Sequence, residues 1–171
     1  LMNSMKNLVF LGMMGSGKSS IGYLVSKKLN LIFIDIDSLI EEEAEMSISE
    51  IFEEKGENYF RNLEEKTTLK NLKKNNKVIS LGGGAFVNDK IRKEILANHL
   101  SFWLCWDDSV LLSRIKNSKK RPLVFKSTDQ EIKQMMKKRS KIYSKAKFKI
   151  NCNKLTKTEI VKKIIKIYEL D

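Results

Sequence analysis

Eight residues constrain this chain more than any others: Gly12-Met13-Met14-Gly15-Ser16-Gly17-Lys18-Ser19, which reads G-x-x-x-x-G-K-S. The apolar run Leu8-Val9-Phe10-Leu11 precedes them, and apolar residues at helical spacing (Ile21, Leu24, Val25, Leu29) follow. That setting predicts a strand, a tight loop and a helix, the arrangement of a phosphate-binding P-loop. The glycines let the backbone curl until successive N–H groups point inward, and the helix N-terminus adds its positive dipole end. Gly15, Ser16 and Gly17 are therefore candidates for a phosphate cradle. The Lys18 ammonium would reach β- and γ-phosphates, and the Ser19 hydroxyl would ligate Mg²⁺.

The rest of the chain reads as an α/β pattern around that loop. A length of 171 residues suits one domain, 1–171. Residues 6–11 predict a first strand and 17–29 a first helix. The apolar run Leu31-Ile32-Phe33-Ile34 predicts a second strand, buried on both faces of a parallel sheet. It ends in Asp35-Ile36-Asp37, and Asp37 or Ser38 is expected to cap a helix running to about Glu45. Two readings of this acidic pair stand side by side: a Walker B-type Mg²⁺-side carboxylate, or a turn former and helix cap. Residues 47–75 read as helical with a break at Gly56. Within them Arg61 and Glu64 stand three apart, which fits a surface pair. An Arg next to Tyr59 and Phe60 also suits a planar carboxylate. Val78–Leu81 predicts a third strand leading into Gly82-Gly83-Gly84, where a ligand or another backbone is expected to come close.

A helix near Asp89–Asn98, a strand over Leu100–Trp106 and a helix over Asp108–Lys116 bearing Arg114 follow. Residues 129–145 read as a helix with Arg139 and Tyr143, Phe148–Ile150 as a fifth strand, and Glu159–Leu170 as an amphipathic helix. Between two of these helices, Asn117–Thr128 holds Lys119, Lys120, Arg121 and Pro122 with little periodicity. It reads as a lid segment that closes over phosphates. Five strands alternating with helices predict a parallel sheet covered on both faces.

Composition excludes other classes. No apolar run approaches the roughly 18 residues that span a membrane. No secretory pattern is present, and Leu1-Met2-Asn3-Ser4 reads as a remnant or an alternative start. Cys105 and Cys152 have no metal or redox spacing, which suits a reduced cytoplasmic protein. His99 is the sole histidine, so a His-based metal site or triad is not expected. The net charge of +12 raises the question of nucleic acid. The Lys-rich stretches 70–77, 116–120 and 154–166 carry no aromatic stacking platform, so none is expected to bind it.

Taken together these residues resemble a family. The G-x-x-x-x-G-K-S loop, Asp35-x-Asp37, Phe60-Arg61-x-x-Glu64, Gly82-Gly83-Gly84, Arg121-Pro122-Leu123 and Arg139-x-x-x-Tyr143 are similar, in order and spacing, to the motifs of shikimate kinases. The similarity runs from about Lys6 to Tyr168. It implies a three-layer α/β/α P-loop kinase fold with strand order 2-3-1-4-5 and a lid at about 117–128. It also implies transfer of the ATP γ-phosphoryl group to the 3-hydroxyl of shikimate, in the pathway to chorismate and the aromatic amino acids. By resemblance, Asp37 binds the acceptor hydroxyl and takes its proton, and Asp35 stands with Ser19 on the Mg²⁺ side. Arg61 and Arg139 grip the shikimate carboxylate, with Gly82, Gly83 and Gly84 alongside. Arg121 closes over the phosphates, Arg114 lies against adenine, and nucleotide contacts extend through Ser20. The implied partner is the small molecule alone, bound by a monomer.

Two positions depart from the family pattern: Leu81 stands where Thr usually precedes the glycines, and Glu45 where Gly is common. Rival readings are a gluconate-type kinase, a nucleoside monophosphate kinase and a nucleotide-dependent binding module. A GTPase fits poorly, because Asn153-Lys154 lacks the Asp that reads guanine. A non-catalytic module would be expected to have lost Lys18, Asp37 or Arg121, and all three are present.

Overall fold

The computed structural model describes residues 6–118 and 126–171. Five strands, β1 (Leu8–Leu11), β2 (Ile32–Asp35), β3 (Lys77–Ser80), β4 (Leu100–Cys105) and β5 (Phe148–Asn151), form one parallel sheet in the order β2-β3-β1-β4-β5. Eight helices accompany them among the described residues: α1 (Lys18–Leu29), α2 (Ile36–Ala44), α3 (Ile48–Lys55), α4 (Glu57–Leu72), α5 (Asp89–Asn98), α6 (Asp108–Lys116), α7 (Asp129–Tyr143) and α8 (Lys157–Leu170). The order implied by the family resemblance is the order observed.

The period-two alternation of β1 divides the core in two. Leu8 and Phe10 point to the face covered by α1 and α8, where they meet Ile21, Val25, Ile160 and Ile164. Val9 and Leu11 point to the other face, among Ile36, Ile40, Ile51, Phe86, Ile91, Trp103 and Tyr143. Every β1 side chain is buried, so the strand feeding the P-loop sits in the middle of both layers. Phe10, Phe102 and Phe148 stack across three neighbouring strands, with ring centroids 5.4 and 5.0 Å apart. Asn7 ties the base of the sheet. It donates to the Lys74 carbonyl at 2.9 Å and accepts from Lys77 N–H at 3.0 Å, fixing the α4–β3 connection.

Local chemistry sets most element ends. Capping boxes open three helices: Ser47 with Glu50 at α3, Thr128 with Glu131 at α7, and Thr156 with Glu159 at α8. The last of these starts α8 at Lys157, two residues earlier than its apolar pattern suggests.

Three expectations need correction here. The run 31–34 predicts a strand buried on both faces, but β2 stands at the sheet edge with Ile32 63% exposed. Only β3 flanks it, and its faces are partly covered, Phe33 meeting Tyr23 of α1 on one and Ile34 packing against the core on the other. The cap of α2 is neither Asp37 nor Ser38. Asp35 accepts from Ser38 N–H at 3.0 Å, and Asp37 lies in the first turn. The third strand runs Lys77–Ser80, one residue earlier than expected at each end, although Leu81 still donates its N–H to the Phe10 carbonyl of the neighbouring strand at 3.0 Å.

Candidate active site

The C-terminal ends of β1, β2 and β3 open onto a cavity of about 620 Å³, the position where open α/β sheets bind ligands. It is lined by Met14 and Ser19 of the P-loop, by Asp35 and Asp37, by Arg61 and Glu64 of α4, by Gly82, Gly83 and Gly84, and by Arg139 of α7. Phe52 and Ile48 of α3 supply an apolar wall. A second space of about 270 Å³ adjoins it, lined by Gly15, Gly17, Lys18, Ser19, Ser20, Asp35, Asp37 and Leu81. Ser19, Asp35 and Asp37 border both.

The P-loop delivers its groups as the motif requires. Gly17 precedes α1 at φ +87°, a conformation that only glycine adopts without strain. Lys18 curls back, and its Nζ donates to the carbonyls of Gly12 and Met13 at 2.8 and 2.9 Å. Ser19 donates its hydroxyl to Asp35 Oδ2. Asp35 thus uses one oxygen to cap α2 and turns the other to the P-loop hydroxyl. Among the described residues, no three His, Cys, Asp or Glu side chains are placed to hold a metal ion by themselves. A Ser hydroxyl with one carboxylate is nevertheless what Mg²⁺ uses when phosphates and water complete its shell.

Arg61 and Glu64 are not a surface pair. Glu64 is only 2% exposed and accepts from Arg61 Nη1 at 2.8 Å. Burial pushes the Glu64 carboxyl up from its ordinary pKa, Arg61 opposes that shift, and Asp37 adds to it. Arg61 also reaches Glu57 at 3.5 Å and lies over the Phe60 ring, 5.2 Å from its centroid. Two carboxylates and a ring hold the guanidinium at the cavity wall. Arg139 approaches from the opposite element, and its Nη1 is buried with no hydrogen-bond partner among the described residues. An orphaned guanidinium N–H costs about 1–3 kcal/mol, a cost that an anionic ligand in the cavity would offset.

The triple glycine lies between these groups. Another backbone does come close, since a Cβ on Gly83 would stand 3.4 Å from the Met14 N of the P-loop, and side chains crowd the glycines on either side. A Cβ on Gly82 would stand 2.6 Å from Asp37 Oδ1, and one on Gly84 would stand 2.6 Å from Arg61 Nη1. The missing side chains let Asp37 and Arg61 close against the main chain. Tyr143 holds the loop from behind by donating its hydroxyl to the Gly83 carbonyl.

Arg114 stands at the far side of the P-loop, 4.1 Å above the Trp106 indole, and donates to the Gly15 carbonyl at 3.0 Å. Arg121 and the rest of 119–125, the greater part of the expected lid, lie outside the described residues. Leu81 is buried beside Lys18 and Ser19, placing an apolar surface where the family usually has a hydroxyl. Sequence reasoning missed Trp106 and the Tyr143 hydroxyl's partner, and no local pattern announces either one.

A P-loop at the end of a central parallel strand, facing two arginines and an aspartate across one cavity, defines a P-loop kinase of a small anionic acceptor. The shikimate kinase family model matches residues 14–169. A shikimate kinase of Thermodesulfovibrio yellowstonii is 40% identical over 166 residues, covering 96% of each chain. The Aquifex aeolicus shikimate kinase structure superposes with a TM-score of 0.85 at 38% identity, covering 95% of this chain and 96% of that one. The Acinetobacter baumannii enzyme, solved in complex with shikimate, gives a TM-score of 0.91 at 26% identity, covering 98% of this chain and 94% of that one. The chain belongs to the shikimate kinase family.

Proposed function

We propose that the cavity binds shikimate, that the P-loop binds ATP, and that the γ-phosphoryl group passes to the shikimate 3-hydroxyl between them. The reaction is that of the family, in the pathway to chorismate. The observation that carries the residue assignment is the convergence of Arg61, Arg139 and Asp37 on one cavity beside the P-loop. Two arginines are wasted on a neutral sugar but suit an acceptor that bears a carboxylate.

Phosphoryl transfer passes through a loose transition state whose charge spreads over the equatorial oxygens, so positioning and cations supply most of the catalysis. Arg61 and Arg139 fix the acceptor by its carboxylate, which leaves its hydroxyls toward Asp37. An alcohol is too weak an acid to be deprotonated beforehand by a carboxylate. Asp37 therefore orients the hydroxyl and accepts its proton as the new bond forms. Lys18 exchanges its two carbonyl partners for phosphate oxygens and follows the charge onto the β–γ bridge. Arg121 joins it on the strength of the sequence resemblance, and Arg114 offers its face to the adenine. Ser19 and Asp35 would hold Mg²⁺, which would supply positive charge against the negative charge developing on the phosphates.

The test is ATP consumption with shikimate, gluconate, AMP and no acceptor. Turnover with shikimate alone is the expected result. Turnover on gluconate or AMP without shikimate activity would overturn the acceptor assignment.

A further inference from the structure

The outer side of the P-loop is held by a residue that neither the motif nor the proposed chemistry uses. Trp106, the first residue beyond β4, donates its indole Nε1–H to the Ser16 carbonyl at 2.8 Å. Arg114 lies on the same indole and donates to the Gly15 carbonyl at 3.0 Å. Two consecutive loop carbonyls are thus tied to one stacked pair.

The consequence lies on the other side of each peptide plane. In a trans peptide the C=O and the following N–H point in opposite directions, and no peptide among the described residues is cis. The Ser16 N–H is already committed, closing a turn onto the Met13 carbonyl at 3.1 Å. The Gly17 N–H shares its plane with the Ser16 carbonyl, so locking that carbonyl on Trp106 directs the N–H away from Trp106. Among the described residues no backbone hydrogen bond from the Gly17 N–H holds this plane. Its rotation turns partly on φ of Gly17, and glycine tolerates either sign of φ. A rotated plane would present a carbonyl oxygen where a polyanion needs a donor.

We propose that Trp106 is a positioning residue for the nucleotide, acting through the Ser16–Gly17 peptide plane. The inference rests on the assignment of the P-loop to ATP phosphates made above. The indole N–H is the operative group, and the ring area under Arg114 is separable from it.

The decisive variant replaces Trp106 with benzothienylalanine, which keeps the bicyclic ring and loses only the N–H. Trp106→Phe is its encodable companion. Losing one net hydrogen bond predicts a rise of about three- to tenfold in the ATP KM and the ADP Kd. The shikimate KM should move less than about twofold, and the Gly17 amide resonance should shift in the ligand-free protein. Unchanged ADP binding in the benzothienylalanine protein overturns the proposal, as does an equal rise in both substrate KM values. Lys18→Ala separates the two levels. If that variant turns over normally, the nucleotide assignment itself fails. If it is inactive while the benzothienylalanine protein behaves as wild type, only the role of Trp106 fails.

Discussion

At the scale of single residues, the acceptor end of the cavity is a problem of charge balance. Asp37 and Glu64 bring two carboxylates close to one stretch of main chain, and Arg61 and Arg139 answer them. Glu64 spends one guanidinium N–H of Arg61 at 2.8 Å and Glu57 lies 3.5 Å from Nε, which fixes the plane of the fork and leaves the other Nη donors for a ligand. Removing one partner of so buried a pair leaves a charge uncompensated, so Glu64 is a costly site for any change. Arg61→Lys tests the fork itself. It keeps the charge but loses planar, bidentate geometry, so the shikimate KM should rise about ten- to a hundredfold, corresponding to roughly 1–3 kcal/mol. The ATP KM should stay nearly fixed. Steady-state kinetics with each substrate varied in turn checks this. A parallel rise in both constants would make Arg61 a fold residue instead.

At the scale of elements, the loop after β3 is shaped by what it leaves out. None of Gly82, Gly83 and Gly84 is among the glycines with positive φ, so backbone conformation is not the reason for them. Close approach is. Gly84→Ala would push the Arg61 guanidinium, the far end of a side chain, whereas Gly82→Ala would push the Asp37 carboxylate and also meet the buried Glu64 carboxylate at 2.9 Å. Stability should therefore change little at Gly84 and fall more at Gly82, while function divides by position. Gly82→Ala should lower kcat by up to about a hundredfold, since an ångström of misplacement costs on that order. Gly84→Ala should act mainly on the shikimate KM. Equal effects of the two variants on both parameters would mean the loop collapses as a unit.

The same loop shows what a sequence reveals and withholds. The P-loop, the five strands and the helices were readable because their signals act over a few residues: G-x-x-x-x-G-K-S, short apolar runs, helical spacing. That the three glycines make room for something was readable too. That the occupants are Asp37 and Arg61 was not, since their contacts cross from other elements. The edge position of β2 depends on sheet order, which no single strand encodes. Asp35-x-Asp37-Ser38 offers several cap candidates, and only packing selects Asp35. The bond from Trp106 to Ser16 spans 90 residues, and that from Tyr143 to Gly83 spans 60. The capping boxes at Ser47, Thr128 and Thr156 were present in the sequence as S/T-x-x-E and sharpen the helix starts where apolar spacing blurs them.

At the scale of the whole molecule, the net charge of +12 surrounds a site whose local balance differs from one end to the other. The acceptor cavity mixes Arg61 and Arg139 with Asp35, Asp37, Glu41 and Glu64, so acidic groups there offset the global field. The P-loop end carries Lys18 and Arg114, with Asp35 and Asp37 only at its border with the cavity. A nucleotide bears several negative charges and shikimate bears one. Steering by the summed field scales with ligand charge and is screened over a Debye length of about 10 Å at 0.1 M salt. Association of a fluorescent ADP analogue, followed by stopped flow, should slow several-fold between about 20 and 200 mM NaCl. The dissociation rate should change much less, because contacts at van der Waals range are weakly screened. Shikimate association should show a shallower dependence over the same range. A salt-independent nucleotide on-rate would mean that the lysines on the helix faces act only as solvating groups. A dependence as steep for shikimate as for the nucleotide would mean that the acidic groups of the cavity do not offset the global field.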